Sequence, residues 1–578
     1  MDFRLDGETL ALVRLDVDLG PEVYLRYPDS DRSNLTLSPD GTRLVFVSGQ
    51  TYGRLYARRL DQPKANELRG TEGATNPFFS PDGHWVGFST FYANKLNKVS
   101  VEGGAVVPLA DLPSVAGKGS WGADGNIIFS VNNGLVRVGA SGTVPTRVLD
   151  QTPGEVGFDD PRVLPGGKAV LFVDRPLDAN SASIDVFSFA DRRRKTLVRG
   201  GTSPRYLPTG HLVYTVQGTL FAIPFDVGRL ETTGTAVPIL DDLAYDPTTG
   251  VADVCSAETG TLVYRRGSGV AGPRVRAIQW VDGVGKKEPL RAKPGAYSYL
   301  RLSPDGKQLS FVLTEGTNTD VWVYDPQRDA MTRLTFGGSD YRSPIWTPDG
   351  RYIVFGTFTG GMFWVRADGA GQLHPLTQGH DGQEPYSITR DGKWLAYMNW
   401  SSGNGQIWAL ALDERDEQLK VGKPEQFLRS KSNDNYPAFS PDGHWLAYTS
   451  NESGKYEEYV QSFPPPAYGL GGKWQISHSG GGGKPFWSRN GREVFYLAIS
   501  GDQLMGVNYS VNGGSFVAEK PRVWIEDLGG RDLDLAPDGK RVAVLVPVDT
   551  PEAQRSAHEV TFLFNFFDEL RRRVPVGK

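Results

Sequence analysis

Apolar residues in this chain come in short bursts, each just after a glycine and each bounded by polar, turn-forming residues. Arg43-Leu44-Val45-Phe46-Val47, Trp85-Val86-Gly87-Phe88, Tyr352-Ile353-Val354-Phe355 and Trp445-Leu446-Ala447-Tyr448 are examples. Rich in β-branched and aromatic residues and too short for helices, they read as strands. A second short strand precedes each glycine, as in Asn76-Pro77-Phe78-Phe79 and Tyr436-Pro437-Ala438-Phe439. A third follows further on, as in Asp320 to Tyr324, and a fourth as in Met331 to Thr335.

The glycine belongs to a recurring Ser-Pro-Asp-Gly turn. Clear copies begin at Ser38, Ser80, Ser303 and Ser440, and degraded ones include Thr389-Arg390-Asp391-Gly392 and Ser488-Arg489-Asn490-Gly491. Twelve copies can be aligned on their last glycine, at 41, 83, 125, 167, 210, 260, 306, 350, 392, 443, 491 and 539, spaced 42 to 51 residues apart. Proline presets φ for the turn, aspartate bonds back to the local backbone, and glycine takes the positive φ that closes it. Four antiparallel strands at this period make one blade of a β-propeller.

The sequence therefore predicts an all-β chain of twelve four-stranded blades. Propellers typically hold four to eight blades, so these divide into two tandem six-bladed rings, residues 1–272 and 273–578. The seam falls between Arg266 and Pro294. Leu10 to Leu19 is expected to close the first ring, while Val275 to Val281 could complete blade six or open the second ring. One short C-terminal helix is expected over Phe566 to Arg573. Asn565 would cap it, acidic Asp568 and Glu569 come early, Arg571 to Arg573 come late, and Pro575 stops it. It is expected to pack on the last blade.

Composition narrows the function. The net charge of −5 over 578 residues gives no global basic field for nucleic acid. Arg192-Arg193-Arg194-Lys195 and Arg571-Arg572-Arg573 are short enough to be solvated turns or ends. A single cysteine, Cys255, excludes an internal disulfide framework. No apolar run approaches the roughly 18 residues of a membrane span, and Met1 to Asp6 lack the features of a signal peptide.

No catalytic motif stands out. Gly267-Ser268-Gly269 is the nearest string to a nucleophile elbow and lies in a Gly-rich stretch with no following helix. The seven histidines, His84, His211, His374, His380, His444, His478 and His558, form no compact ligand pair, and no metal site or cofactor is implied. His84, His211 and His444 each follow a turn glycine, where an exposed hairpin position is expected. The turn aspartates recur inside hairpins, so bonding within their own loops explains them. Gly480-Gly481-Gly482-Gly483-Lys484 lacks the ending of a phosphate loop and reads as a loop at a blade entrance.

The segments leading into the inner strands are more informative. Several carry a residue followed by proline: Asn76-Pro77, Asp160-Pro161, Ser203-Pro204, Ser343-Pro344, Glu384-Pro385, Tyr436-Pro437 and Lys484-Pro485. Proline suits the first residue of a strand, where no ladder donor is needed. The residues beside these prolines differ between repeats and should converge at the channel mouth opposite the turns. Asn76, Asp159, Asp160 and Arg205 in the first ring, and Arg342, Glu384, Tyr436 and Lys484 in the second, are the candidate ligand contacts.

Repeats such as Ser38 to Phe46 and Ser440 to Tyr448 resemble the TolB-type, WD-like propeller repeat. The chain as a whole, through Leu164 to Phe172, Trp322-Val323-Tyr324-Asp325, Thr449 to Gly454 and the ending Asn565 to Leu570, resembles the C-terminal sensor region of bacterial, acidobacterial-type receptor serine/threonine kinases. That resemblance implies an extracytoplasmic module, tethered in the family through an upstream membrane span, that binds a protein, peptide or glycan; the charge balance above argues for no nucleic acid partner. This sequence carries no Gly-rich nucleotide loop, no His-Arg-Asp loop and no Asp-Phe-Gly, so kinase activity does not transfer. A non-enzymatic double propeller is the leading expectation. The alternatives are a stand-alone periplasmic TolB-like interaction module, and a lyase, lactonase or glycosidase working on the channel face.

Overall fold

The computed structural model describes residues 10–25, 34–49, 53–90, 95–112, 116–131, 134–151, 155–176, 182–245, 251–267, 275–316, 318–337, 340–357, 360–379, 382–400, 405–415, 418–430, 432–464, 472–478, 481–498, 501–512, 514–548 and 558–576. Strands dominate, and most of the sheets they form are four-stranded and antiparallel. In one of them Ala74–Phe79, Trp85–Thr90, Lys95–Ser100 and Val107–Asp111 pair in chain order, with Phe79 opposite Val86 and Trp85 opposite Ser100. Both faces of each sheet are covered, which explains the nearly unbroken apolar runs after the glycines. Val45 and Val47 pack toward the next sheet with Val86 and Phe88, whereas Leu44 and Phe46 pack the other way with Val263 and Phe562.

The Ser-Pro-Asp-Gly segment folds as the sequence implies. The Trp85 amide donates to the Ser80 hydroxyl at 3.0 Å, the His84 amide donates to the Asp82 carboxylate at 3.0 Å, and Gly83 has φ 71°. The same bond, to the amide two residues on, is made by Asp40, Asp124, Asp305, Asp349, Asp391, Asp442 and Asp538. These aspartates are occupied by their turns, and their carboxylates are not gathered into a metal or acid-base cluster.

The chain forms two compact units. One comprises Met1–Ala271 together with Asp549–Lys578, and the other Gly272–Val548. The C-terminal segment, expected with the second ring, thus folds with the first. Glu559–Phe564 pairs with Val13–Asp18 on one side and with Leu262–Tyr264 on the other. The N-terminal strand does help to close the first unit, but only by pairing with a strand from the far end of the chain. In the second unit Arg276–Asp282 pairs with Arg541–Pro547, so this segment closes the last sheet of that unit.

The helix spans Phe566–Arg573 as expected, but two of its details differ. Asn565 sits in the left-handed region at φ 61° and makes no side-chain cap. Its amide instead donates to the Ala11 carbonyl at 2.9 Å. The helix packs on the first unit, not on the last blade, burying Phe566 and Leu570 among Leu207, Leu220 and Tyr264.

The prolines also sit differently from expectation. They lie within the inner strands, at β-bulges, rather than at strand starts. Register shifts occur between Thr75 and Phe78, Asp159 and Arg162, Thr202 and Arg205, Arg342 and Ile345, and Asn435 and Ala438. A bulged residue has no ladder partner, so proline is tolerated there inside a sheet.

Candidate functional site

Counting back from each turn glycine gives the inner strand a common ruler. The residue seven before it is the bulged one. Asn76, Asp160, Ser203, Tyr299, Ser343, Tyr436 and Lys484 all hold this place with φ between 47° and 58°. Holding a non-glycine residue there costs of order 1–3 kcal/mol, and the two-sided packing of the inner strands supports it. The bulge shifts the alternation, so the residue five before the glycine points along the channel.

In the second unit all six residues at that place line one cavity: Arg301, Ile345, Ser387, Ala438, Phe486 and Asp534. The cavity measures about 720 Å³ and opens among the turns, where Pro304, Pro348 and Pro441 border it. That volume lies within the roughly 300–1,000 Å³ of small-ligand sites. Its wall mixes Trp346, Phe439 and Trp487 with Arg301, Lys484 and Arg489.

Of the candidates expected in the second unit, Tyr436 and Lys484 line this cavity. The Lys484 ammonium lies 3.2 Å from Asp532 and donates to the Arg531 carbonyl at 3.4 Å. Burial lowers its pKa, and the like charge of Arg301 adds to this against the pull of Asp532. Glu384 is buried and accepts hydrogen bonds from the Ser343 and Tyr386 hydroxyls, both at 3.0 Å. Arg342 reaches Glu384 at 3.9 Å and Asp340 at 2.8 Å. These two brace Tyr386, whose ring lines the cavity and meets Tyr436 edge to face at 5.5 Å.

In the first unit three of the candidates, Asp159, Asp160 and Arg205, are held in ion pairs. Asp160, 1% exposed, pairs with Arg162 at 2.6 Å, Arg205 at 3.1 Å and Lys118 at 3.5 Å. Asp159 pairs with Arg175 at 2.6 Å and Lys118 at 3.6 Å. These cations hold the Asp160 carboxyl far below the usual carboxylate range against a large burial penalty. Asn76 is buried at its bulge. Arg162 and Arg205 occupy the same place in the repeat as Arg301, yet here each has a carboxylate.

Sequence reasoning missed the channel-facing place itself. A signal was present, because the residues five before the turn glycine differ in chemistry from repeat to repeat, whereas those four before it are almost all apolar. Two further expectations are corrected. His211 is fully buried, not exposed, and its Nε2 lies 2.6 Å from the Val574 carbonyl. Gly481 to Gly483 belong to the inner strand Gly481–Trp487, not to a loop. A Cβ at Gly481 would stand 2.6 Å from Glu458 Oε1, so the lack of a side chain there admits a buried carboxyl. His84 and His444 are exposed as expected, His374 stacks on Trp364 at 4.4 Å, and His380 and Ser268 lie outside the described residues. Among the described residues, no group of three or more His, Cys, Asp or Glu could hold a metal ion, and no helix is long and apolar enough to cross a membrane.

Bulged inner strands, turn-closed hairpins and sheets buried on both faces define a β-propeller protein. Within that class the chain is TolB-like. It is 28% identical over 176 residues to a TolB homolog of Chlorobium chlorochromatii (strain CaD3), a stretch covering 29% of this chain and 38% of that protein. It is 27% identical over 157 residues to the uncharacterized peptidase YuxL of Bacillus subtilis (strain 168), covering 26% of this chain and 21% of the peptidase. The chain thus spans about a fifth to two fifths of the length of these two relatives. A solved putative TolB from Agrobacterium tumefaciens aligns with a TM-score of 0.36 at 16% identity, over 48% of this chain and 99% of that one. No family model matches the chain.

Proposed function

We propose that this chain is a non-enzymatic recognition module of two six-bladed TolB-like propellers, and that the second one holds its ligand in the channel cavity. One observation carries the reading. All six channel-facing residues of the second unit line a single cavity of about 720 Å³ and differ in chemistry, whereas in the first unit the two arginines at the matching place, Arg162 and Arg205, are tied up in ion pairs with Asp160. The ligand is a protein, peptide or glycan element, and the module works outside the cytoplasm as the sensing part of a receptor serine/threonine kinase. A stand-alone TolB-like interaction module is the second reading, favoured by the stretch shared with the Chlorobium TolB homolog.

Ala438 is the smallest channel-facing residue, so Ala438→Trp fills the cavity without removing a charge. Thermal-shift screening of peptide and oligosaccharide libraries against the parent chain should yield ligands whose effect is lost in Ala438→Trp. Ligands that bind both chains equally would move the site elsewhere. Sequencing the native gene upstream separates the two arrangements, because a receptor requires an in-frame kinase and membrane span.

A further inference from the structure

We propose that the second unit's cavity is a receptor for clustered carboxylate groups, a ligand class that rests on the recognition reading above. Four cationic side chains line the cavity: Arg301, Arg390, Lys484 and Arg489. Arg390 and Arg489 stand in the proline slot of the degraded turns Thr389-Arg390-Asp391-Gly392 and Ser488-Arg489-Asn490-Gly491. Two repeats have thus lost the residue that presets the turn and gained a guanidinium at the cavity rim.

The carboxylates in the same lining are already engaged. Asp305 accepts from Ser303 and Lys307, and Asp349 from Thr347 and Arg351, inside their own turns. Asp534 accepts the backbone amides of Leu302 at 2.8 Å and Leu535 at 3.0 Å. Among the described residues, no carboxylate lies within ion-pair distance of Arg301, Arg390 or Arg489. Arg301 donates to the Leu300 carbonyl at 3.1 Å, and Arg489 donates to the Pro304 carbonyl, which leaves further guanidinium donors on each.

The first unit shows what the fold does when no anion is to be received. There, Arg162 and Arg205 meet Asp160 directly. In the second unit, the acid seven before the last turn glycine, Asp532, is taken by Lys484 and by the Tyr299 amide at 2.6 Å. Arg301, Arg390 and Arg489 are left facing a concavity walled by Ile345, Trp346, Phe439 and Phe486. Apolar walls strengthen charge attraction, and guanidinium donors match the two oxygens of a carboxylate. Several carboxylates close together would satisfy this set, whether on a compact polyacid or along an acidic peptide.

Isothermal titration of the full chain with citrate, with acetyl-tetraglutamate amide and with acetyl-tetraglutamine amide tests this. Binding of citrate or the tetraglutamate, with none of the tetraglutamine, supports it. Citrate alone indicates a free polyacid, and the tetraglutamate alone indicates a peptide. Arg390→Gln with Arg489→Gln should weaken binding at least about tenfold, near 1.4 kcal/mol. Arg390→Gln alone, at an exposed rim position, should show part of that loss in a chain whose melting is unchanged. Raising sodium chloride should also weaken binding. Equal affinity for tetraglutamine, affinity unmoved by both substitutions, or no binding of either acid at millimolar concentration would overturn the proposal. If tetraglutamine binds and Ala438→Trp abolishes it, the cavity remains a recognition site and only its carboxylate preference fails.

Discussion

Deleting residues 549–578 should unfold the first unit while leaving the second intact. The segment supplies the strand Glu559–Phe564, which stands between Val13–Asp18 and Leu262–Tyr264 in one sheet. It also supplies the helix Phe566–Arg573. Val560, Phe562, Leu563, Phe566, Leu570 and Val574 are all at most 3% exposed. Full burial of one such side chain stabilises by about 1.5–3 kcal/mol, so the six together contribute on the order of 10 kcal/mol before the cost of ordering the segment. That is comparable with the whole stability of a domain, about 5–15 kcal/mol. The deletion also leaves two strand edges unpaired and uncovers Leu44, Phe46 and Val263. Limited proteolysis read by mass spectrometry is the direct assay. The truncated chain should be cut throughout 34–267 at protease levels that spare 297–547, and a synthetic peptide of residues 558–576 should restore protection in part. Phe562→Ala in the full chain should cost about 3–5 kcal/mol by itself. A truncated chain in which 34–267 resists protease as well as in the full chain would refute the closure argument.

Other outcomes follow from buried polar groups. Glu458 has no exposed surface, and burial pushes its carboxyl up to about 8 although Thr449 and the Gly483 amide hydrogen-bond to it. Its folded form binds a proton that the unfolded chain releases above about 4.5, so stability should fall as pH rises from about 4.5 to 8, and Glu458→Gln should flatten denaturant midpoints across that window. His211 must carry its proton on Nε2 to donate to Val574, with Nδ1 accepting from the Thr209 hydroxyl at 2.9 Å. Burial lowers its pKa, so it adds stability above the ordinary histidine range that is lost as pH falls below about 6.5. His211→Ala should cost about 1–3 kcal/mol and increase hydrogen exchange in the helix 566–573. Asp160→Asn should cost about 3–5 kcal/mol in urea titrations, because Arg162, Arg205 and Lys118 lose their shared buried counter-charge. Since its pKa is depressed in the fold, the stability Asp160 contributes should be present above the unfolded aspartate value and decline only in strong acid.

Local features were legible because local chemistry sets them. The turn aspartates bond the amide two residues on, and the glycines take positive φ, as the tetrapeptide demands. The helix ends at Arg573 because its charge order and Pro575 act within a few residues. Asn565 misled because a closer partner, the Ala11 carbonyl, comes from the other end of the chain. His211 misled for a similar reason, since the C-terminal helix covers a hairpin position that would otherwise face water. Tyr436 and Lys484 were legible as unlike residues at one place in the repeat, but Arg301 was not, because a bulge two residues earlier resets which side chains face the channel.

By itself the sequence determined an all-β chain of hairpin-punctuated sheets, the ruler set by its turn glycines, the helix and the absence of familiar catalytic motifs. Only the tertiary structure decided which strands close each unit, which residues face the channel and which charges are already paired. Turns and helix ends are fixed by bonds within a few residues, whereas strand closure joins residues hundreds of positions apart and channel charges such as Asp160 and Arg205, or Lys484 and Asp532, pair between neighbouring repeats. Val13 meets Phe564 and Arg276 meets Pro547 through backbone bonds that any extended segment could offer. Packing against the neighbouring sheets selects among them, and that choice is made in three dimensions.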